Sequence, residues 1–195
     1  MPKENIVLSY TFDELSPEVQ EKVISSWRND DQYPWDSENV DTLKRFADIF
    51  PVEIKNYEYR FNNSHINWKL SEVNPPVAAF TGLRLRTWLL NNYYNTLYQG
   101  KRYYASNYTK KRVSKVIIEQ ADCPLTGYCM DYDILQPIWD FVKNPNTYQT
   151  LGDILQDCLN SWLSACQKDY KYWNSSESIK EDILVRELEQ ARQAF

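Results

Sequence analysis

The chain has 195 residues, 43% hydrophobic and 15% aromatic, with 22 lysines and arginines against 27 acids for a net charge of −5. A chain of this length fits one domain that buries roughly two-thirds of its unfolded surface, so it needs neither disulfide nor metal to hold a core. The composition excludes an intrinsically disordered chain, and the apolar runs fall far short of the ~20 residues of a membrane span.

The opening Met1-Pro2-Lys3-Glu4-Asn5 is too polar for a secretory leader, so the expected compartment is the cytoplasm. Val7 to Phe12 reads as a short strand. Ser16 is a natural N-cap, with Pro17 at the first helical position and Glu18 against the positive helix end. Val19, Val23, Ile24 and Trp27 then share one helical face. A second helix is expected from Ser37, with Val40, Leu43, Phe46, Ala47 and Phe50 as its stripe, until Pro51 stops it.

The period then changes to two. Val52 and Ile54 alternate, Tyr57, Tyr59 and Phe61 alternate in a shifted register, and Ile66, Trp68 and Leu70 alternate again, which predicts a β-hairpin over 52–70 with a bulge near Lys55-Asn56. A long central helix is expected from Thr81 to Tyr98, apolar around much of its girth and closed by Gly100. Tyr103 to Thr109 reads as a polar, Tyr-rich loop, 113–118 as a strand and Cys123 to Gly127 as a turn. Three helices follow: Ile134 to Lys143 capped by Asp131 or Asp133, one from Thr150, and one from about Ser178. The expected architecture is an α+β fold, about six helices around a small antiparallel sheet, in a single domain over 1–195.

Charge is unevenly spread. Val73 to Ile118 contains no acid and holds eight cations: Arg84, Arg86, Lys101, Arg102, Lys110, Lys111, Arg112 and Lys115. The other 14 cations face all 27 acids, a balance of −13. Tyr103, Tyr104 and Tyr108 lie among these cations. Cations beside aromatics suit a macromolecular surface, whether nucleic acid or an acidic protein. The plain alternative pairs Arg84 and Arg86 with the chain's own acids. Asp30, Asp31, Asp36, Glu177, Glu181 and Asp182 form a second candidate surface, able to imitate nucleic-acid phosphates or simply to solvate helix faces.

Little points to catalysis. His65 is the single histidine, and alternation puts it on the wet side of the hairpin, so a Ser-His or Cys-His centre lacks a base. Gly82, Gly100, Gly127 and Gly152 form no phosphate loop. Asp131 and Asp133 offer two carboxylates to Mg²⁺, but helix capping explains them more simply. Cys123, Cys129, Cys158 and Cys166 match no zinc or redox spacing and read as reduced thiols. No cofactor or metal is expected.

The segments Phe12-Asp13-Glu14-Leu15-Ser16-Pro17-Glu18 and Cys123-Pro124-Leu125-Thr126-Gly127-Tyr128-Cys129-Met130-Asp131 together resemble a loose group of small phage and prophage accessory proteins, some antitoxin-like. The resemblance implies a phage-encoded anti-defence protein that blocks a host effector, such as the CRISPR effector Cas9 or a restriction enzyme, by stoichiometric binding. A nucleic-acid-binding regulator that uses 84–115, and an antitoxin, are the alternatives.

Overall fold

A computed structural model of the chain describes residues 10–29, 33–60, 64–73, 75–104 and 111–193. The backbone is α+β, and it divides into two compact units, Met1–Pro34 with Asp169–Phe195, and Trp35–Lys168. Among the described residues there are seven α-helices: α1 (Pro17–Asn29), α2 (Asp36–Ile49), α3 (Pro75–Ala78), α4 (Gly82–Leu97), α5 (Met130–Lys143), α6 (Leu151–Trp173) and α7 (Ser176–Gln193). The strands are β1 (Val52–Glu58), β2 (His65–Leu70), β3 (Tyr98–Tyr104) and β4 (Lys111–Gln120).

In the first unit, Phe12–Glu14 forms a 3₁₀ turn where the sequence suggests the end of a strand; the remainder of that expected strand, 7–9, lies outside the described residues. The turn is fixed by the Glu14 carboxylate, which accepts from the Thr11 amide at 2.8 Å. The start of α1 agrees with the sequence, the Ser16 carbonyl taking the amides of Val19 and Gln20 at 2.9 Å each. The small core of this unit is Phe12, Ile24, Ile179 and Ile183, with Leu15, Val23 and Trp27 packed against it. Val19 remains 41% exposed and does not join that stripe. Polar ties reinforce the apolar contact. The Phe12 amide donates to Glu187 Oε1 at 2.8 Å, and Arg28 Nη2 donates to Ser176 Oγ at 2.7 Å.

The second unit holds the larger core. Leu43 and Phe46 of α2, Leu85, Leu89 and Leu97 of α4, Ile134, Leu135, Ile138 and Trp139 of α5, and Leu151, Leu155, Cys158, Leu159 and Trp162 of α6 are all buried. The two indoles keep their polar ends satisfied: Trp139 Nε1 donates to the Leu97 carbonyl at 3.0 Å and Trp162 Nε1 to the Asn39 carbonyl at 3.1 Å.

The hairpin β1–β2 is antiparallel, and its register shifts between Ile54 and Asn56, at the bulge that the sequence predicts. The expected third strand does not join it. β4 pairs instead with β3, so the sheet is two separate two-stranded ribbons. Gly100, expected as a helix cap, lies inside β3, and α4 ends at Leu97 with the Tyr98 amide donating to Tyr94. α5 begins a turn earlier than expected, which places Asp131 inside the helix.

Candidate interaction surface

β3 and β4 form an arm whose root is the buried end of α4. The Leu97 carbonyl accepts both Trp139 Nε1 and the Ala121 amide, each at 3.0 Å, which binds the two strand ends to the core. The Tyr98 ring lies 5.5 Å from that of Tyr94, and burial pushes its phenol pKa up.

Beyond the root the arm is irregular in a specific way. Gly100 pairs with Ile118 and Arg102 with Val113, so Ser114 to Ile117 stand opposite the single residue Lys101. The wide bulge passes directly over Gly100: a Cβ there would lie 2.2 Å from the Ser114 carbonyl oxygen and 2.7 Å from Val113 Cγ1. Only glycine permits that approach. Ser114 then closes the bulge from inside, its hydroxyl accepting the amides of Val116 at 3.2 Å and Ile117 at 2.8 Å.

The bulge breaks the in-and-out alternation of a strand, and a run of apolar residues in and beside it is exposed. Val116 is 86% exposed, with Val113 at 60%, Ile117 at 59% and Ile118 at 52%. Each would gain roughly 1.5–3 kcal/mol from full burial, so together they mark a surface that a partner could cover. Around them lie the exposed cations Lys101, Arg102, Arg112 and Lys115 and the exposed ring of Tyr103. Among the described residues none of these four cations has an ion pair. The arm's one carboxylate, Glu119, accepts the Arg102 amide at 3.4 Å.

The other sequence candidates separate. Arg86 is half-buried and donates through Nε to the Val142 carbonyl at 2.8 Å, so it serves the fold. Arg84 lies over the Phe80 ring at 4.4 Å, an arene contact where pairing with an acid was the alternative expected. Tyr108 and Lys110 lie outside the described residues, and the strand positions Tyr104 and Lys111 are known by backbone alone. On the acidic side, Asp30 and Asp31 also lie outside the described residues. Asp36 receives the Tyr59 hydroxyl and pairs with Arg60 at 3.0 Å; burial raises its pKa, but these two partners hold it below the usual value. Asp182 pairs with Arg186 at 3.2 Å, and Glu177 and Glu181 are exposed on α7.

Asp131 is neither a cap nor an exposed metal ligand. It is fully buried, and its Oδ2 accepts the amides of Leu125, Thr126 and Gly127 at 2.8, 2.7 and 3.1 Å. Its Oδ1 accepts the hydroxyls of Thr126 at 2.7 Å and Thr42 at 3.1 Å. The carboxylate thus folds the Cys123–Gly127 turn around itself, with Cys123 at φ 43° and Gly127 at φ 92°. Among the described residues no three His, Cys, Asp or Glu side chains converge to hold a metal, and no helix is long and apolar enough to cross a membrane. Cys158 and Cys166 are buried on α6, as their positions on its stripe suggest.

Sequence reasoning finds the cations of the arm but not the arm itself. The one signal available was Gly100, a glycine inside an apolar and cationic run, which fits a bulge as well as a helix end. Comparison with protein-family models, with curated proteins and with solved structures finds no match.

Proposed function

We propose that the chain works by stoichiometric binding to another macromolecule and that the β3–β4 arm is its docking element. One observation carries this reading: the four exposed cations of the arm lack ion pairs among the described residues and surround exposed aliphatic side chains. An apolar centre with an arginine- and tyrosine-bearing rim has the composition of a protein interface. The charge calls for an acidic partner. Phosphate mimicry by the acidic candidates is the weaker alternative, because Asp36 and Asp182 already have partners.

In the phage anti-defence reading that the sequence resemblance suggests, the arm addresses an acidic surface on a host effector. The carboxylates with which a nuclease holds its metal ions are one such surface. The test titrates the purified chain into cleavage assays of CRISPR and restriction effectors. The expected result is inhibition that saturates at a fixed molar ratio and is lost in the Lys101→Glu/Arg102→Glu variant.

A second reading is favoured by the ribbon itself. A two-stranded β-ribbon fits the major groove of duplex DNA, and here both strands bear cations. It predicts binding of labelled duplex that weakens steeply with salt and needs no protein partner.

A further inference from the structure

We propose that the groove between α2 and the free edge of β1 is a peptide-binding site, which takes an extended segment with aliphatic and acidic side chains as an added strand. Nothing in it depends on the arm or on the partner of the arm's cations.

The groove lies within the larger unit. Phe50 and Pro51 alone join α2 to β1, so helix and strand run back alongside each other, with a cavity of about 470 Å³ between them. α2 contributes Val40, Leu43, Lys44, Ala47 and Asp48, the i, i+3, i+4, i+7, i+8 spacing of a single helix face. β1 contributes residues 52–57, each in turn, and β2 contributes none among the described residues. A cavity on the face of a sheet is lined by alternate residues, so this one meets the strand edge-on.

That edge offers backbone groups. β1 pairs only with β2 among the described residues. The Ser71 amide donates to the Pro51 carbonyl at 3.0 Å, and Val52 and Glu53 lie opposite Leu70 and Lys69. In an antiparallel pair the bonded positions alternate, so Glu53 bonds to β2 while Val52 and Ile54 direct their amides and carbonyls away from it. The Val52 amide is taken by the Phe50 carbonyl at 2.7 Å. The Val52 carbonyl and the Ile54 amide are left at the edge, both ahead of the register shift that follows Ile54. An acceptor and a donor spaced in this way match the backbone of an added strand.

The side chains define what that strand carries. Leu43 and Val52 are buried in the floor and Val40, Ala47 and Ile54 are half-buried, which suits aliphatic side chains. The rim bears four charges. Glu53 is paired with Lys69 at 2.8 Å, Asp48 with Arg45 at 4.0 Å and Lys44 with Asp41 at 3.7 Å. Lys55, exposed at the bulge, has no ion pair among the described residues. The unmatched charge of the groove is therefore positive, and its complement is a carboxylate on the peptide.

The test selects a display library of random heptapeptides against the full chain and titrates the enriched sequences, synthesised with a fluorescein label, by anisotropy. The enriched peptides are expected to combine aliphatic residues with at least one acid. Ala47→Trp fills the groove and should weaken binding tenfold or more. Lys55→Glu should weaken it by roughly threefold to tenfold, and a fresh selection against that variant should replace the acid with Lys or Arg. An added strand pairs through alternate amides, so N-methylation of alternate peptide amides should abolish binding in one phase and change it only a few-fold in the other. Circular dichroism verifies the fold of each variant. No enriched sequence, basic peptides enriched by the wild type, binding indifferent to both variants, or equal loss in both methylation phases would each overturn the proposal. So would amide shifts over residues 52–57 that follow protein concentration without peptide, which would place a second copy in the groove.

Discussion

Gly100 and Ser114 approach so closely that a Cβ on the glycine would stand 2.2 Å from the serine carbonyl oxygen. This contact shapes the arm, because the bulge that crosses Gly100 holds the exposed Val116 and Ile117. Gly100→Ala should force the two strands apart at this point and cost about 1–3 kcal/mol. Amide chemical shifts across Val113–Ile118 are expected to move strongly, while those of α5 and α6 stay in place. An alanine variant with an unchanged spectrum would mean that the bulge does not depend on the glycine.

Asp131 makes a second prediction. Its buried carboxylate accepts three backbone amides and two hydroxyls. Asp131→Ala leaves those donors without a partner and should destabilise the fold by about 3 kcal/mol or more, as read from urea unfolding. Thr42→Val removes one donor and should cost about 1 kcal/mol. A small effect of Asp131→Ala would show that water or another acceptor replaces the carboxylate.

Two aspartates should respond to pH in opposite senses. The pKa of Asp36 is lowered: burial raises it, but the Tyr59 hydroxyl and Arg60 together outweigh that. Its stabilising contribution is therefore present above the unfolded value of 3.8 and is lost as pH falls through the folded value. The pKa of Asp133 is raised by burial, only partly offset by Lys168, so its charge is a cost at neutral pH that protonation relieves. Asp36→Asn should lower the thermal midpoint at neutral pH and lose that effect in acid. Asp133→Asn should raise the midpoint at neutral pH, with the gain shrinking as pH falls. Thermal melts from neutral pH to pH 3 check both signs.

Thiol chemistry gives a further check. Cys129 is exposed, whereas Cys158 and Cys166 are buried. Cys123 is held near pKa 11 by burial and by the neighbouring Asp122. Ellman titration of the native protein should find one fast thiol, removed by Cys129→Ser, and three slow ones until denaturant is added. Two fast thiols would mean that the Cys123–Gly127 turn opens readily.

How far the sequence could be read follows from how each element is solvated. α1, α2, α6 and the β1–β2 hairpin bury one face, so their apolar spacing announces them, even to the bulge at Lys55. β3 is different. Lys101 and Tyr103 on one side and Arg102 on the other are all exposed, so no alternation separates it from a polar loop. Gly100 follows a long helical pattern, where a cap is the ordinary reading. Asp131 misled for a related reason: a carboxylate near a helix start usually caps it, and here it reaches back to the preceding turn. The charge block is legible because it is compositional, but composition does not separate Arg86, which donates to the Val142 carbonyl, from the exposed cations of the arm.

The most direct test of the arm's role compares the wild type with Lys101→Glu/Arg102→Glu, two chains expected to unfold at the same temperature because both side chains are exposed and neither has an ion pair among the described residues. Each is immobilised at equal density, exposed to nuclease-treated bacterial lysate, and its retained proteins are quantified by mass spectrometry. The account predicts one protein held near a 1:1 ratio by the wild type and lost from the variant. The same protein retained equally by both chains would contradict it.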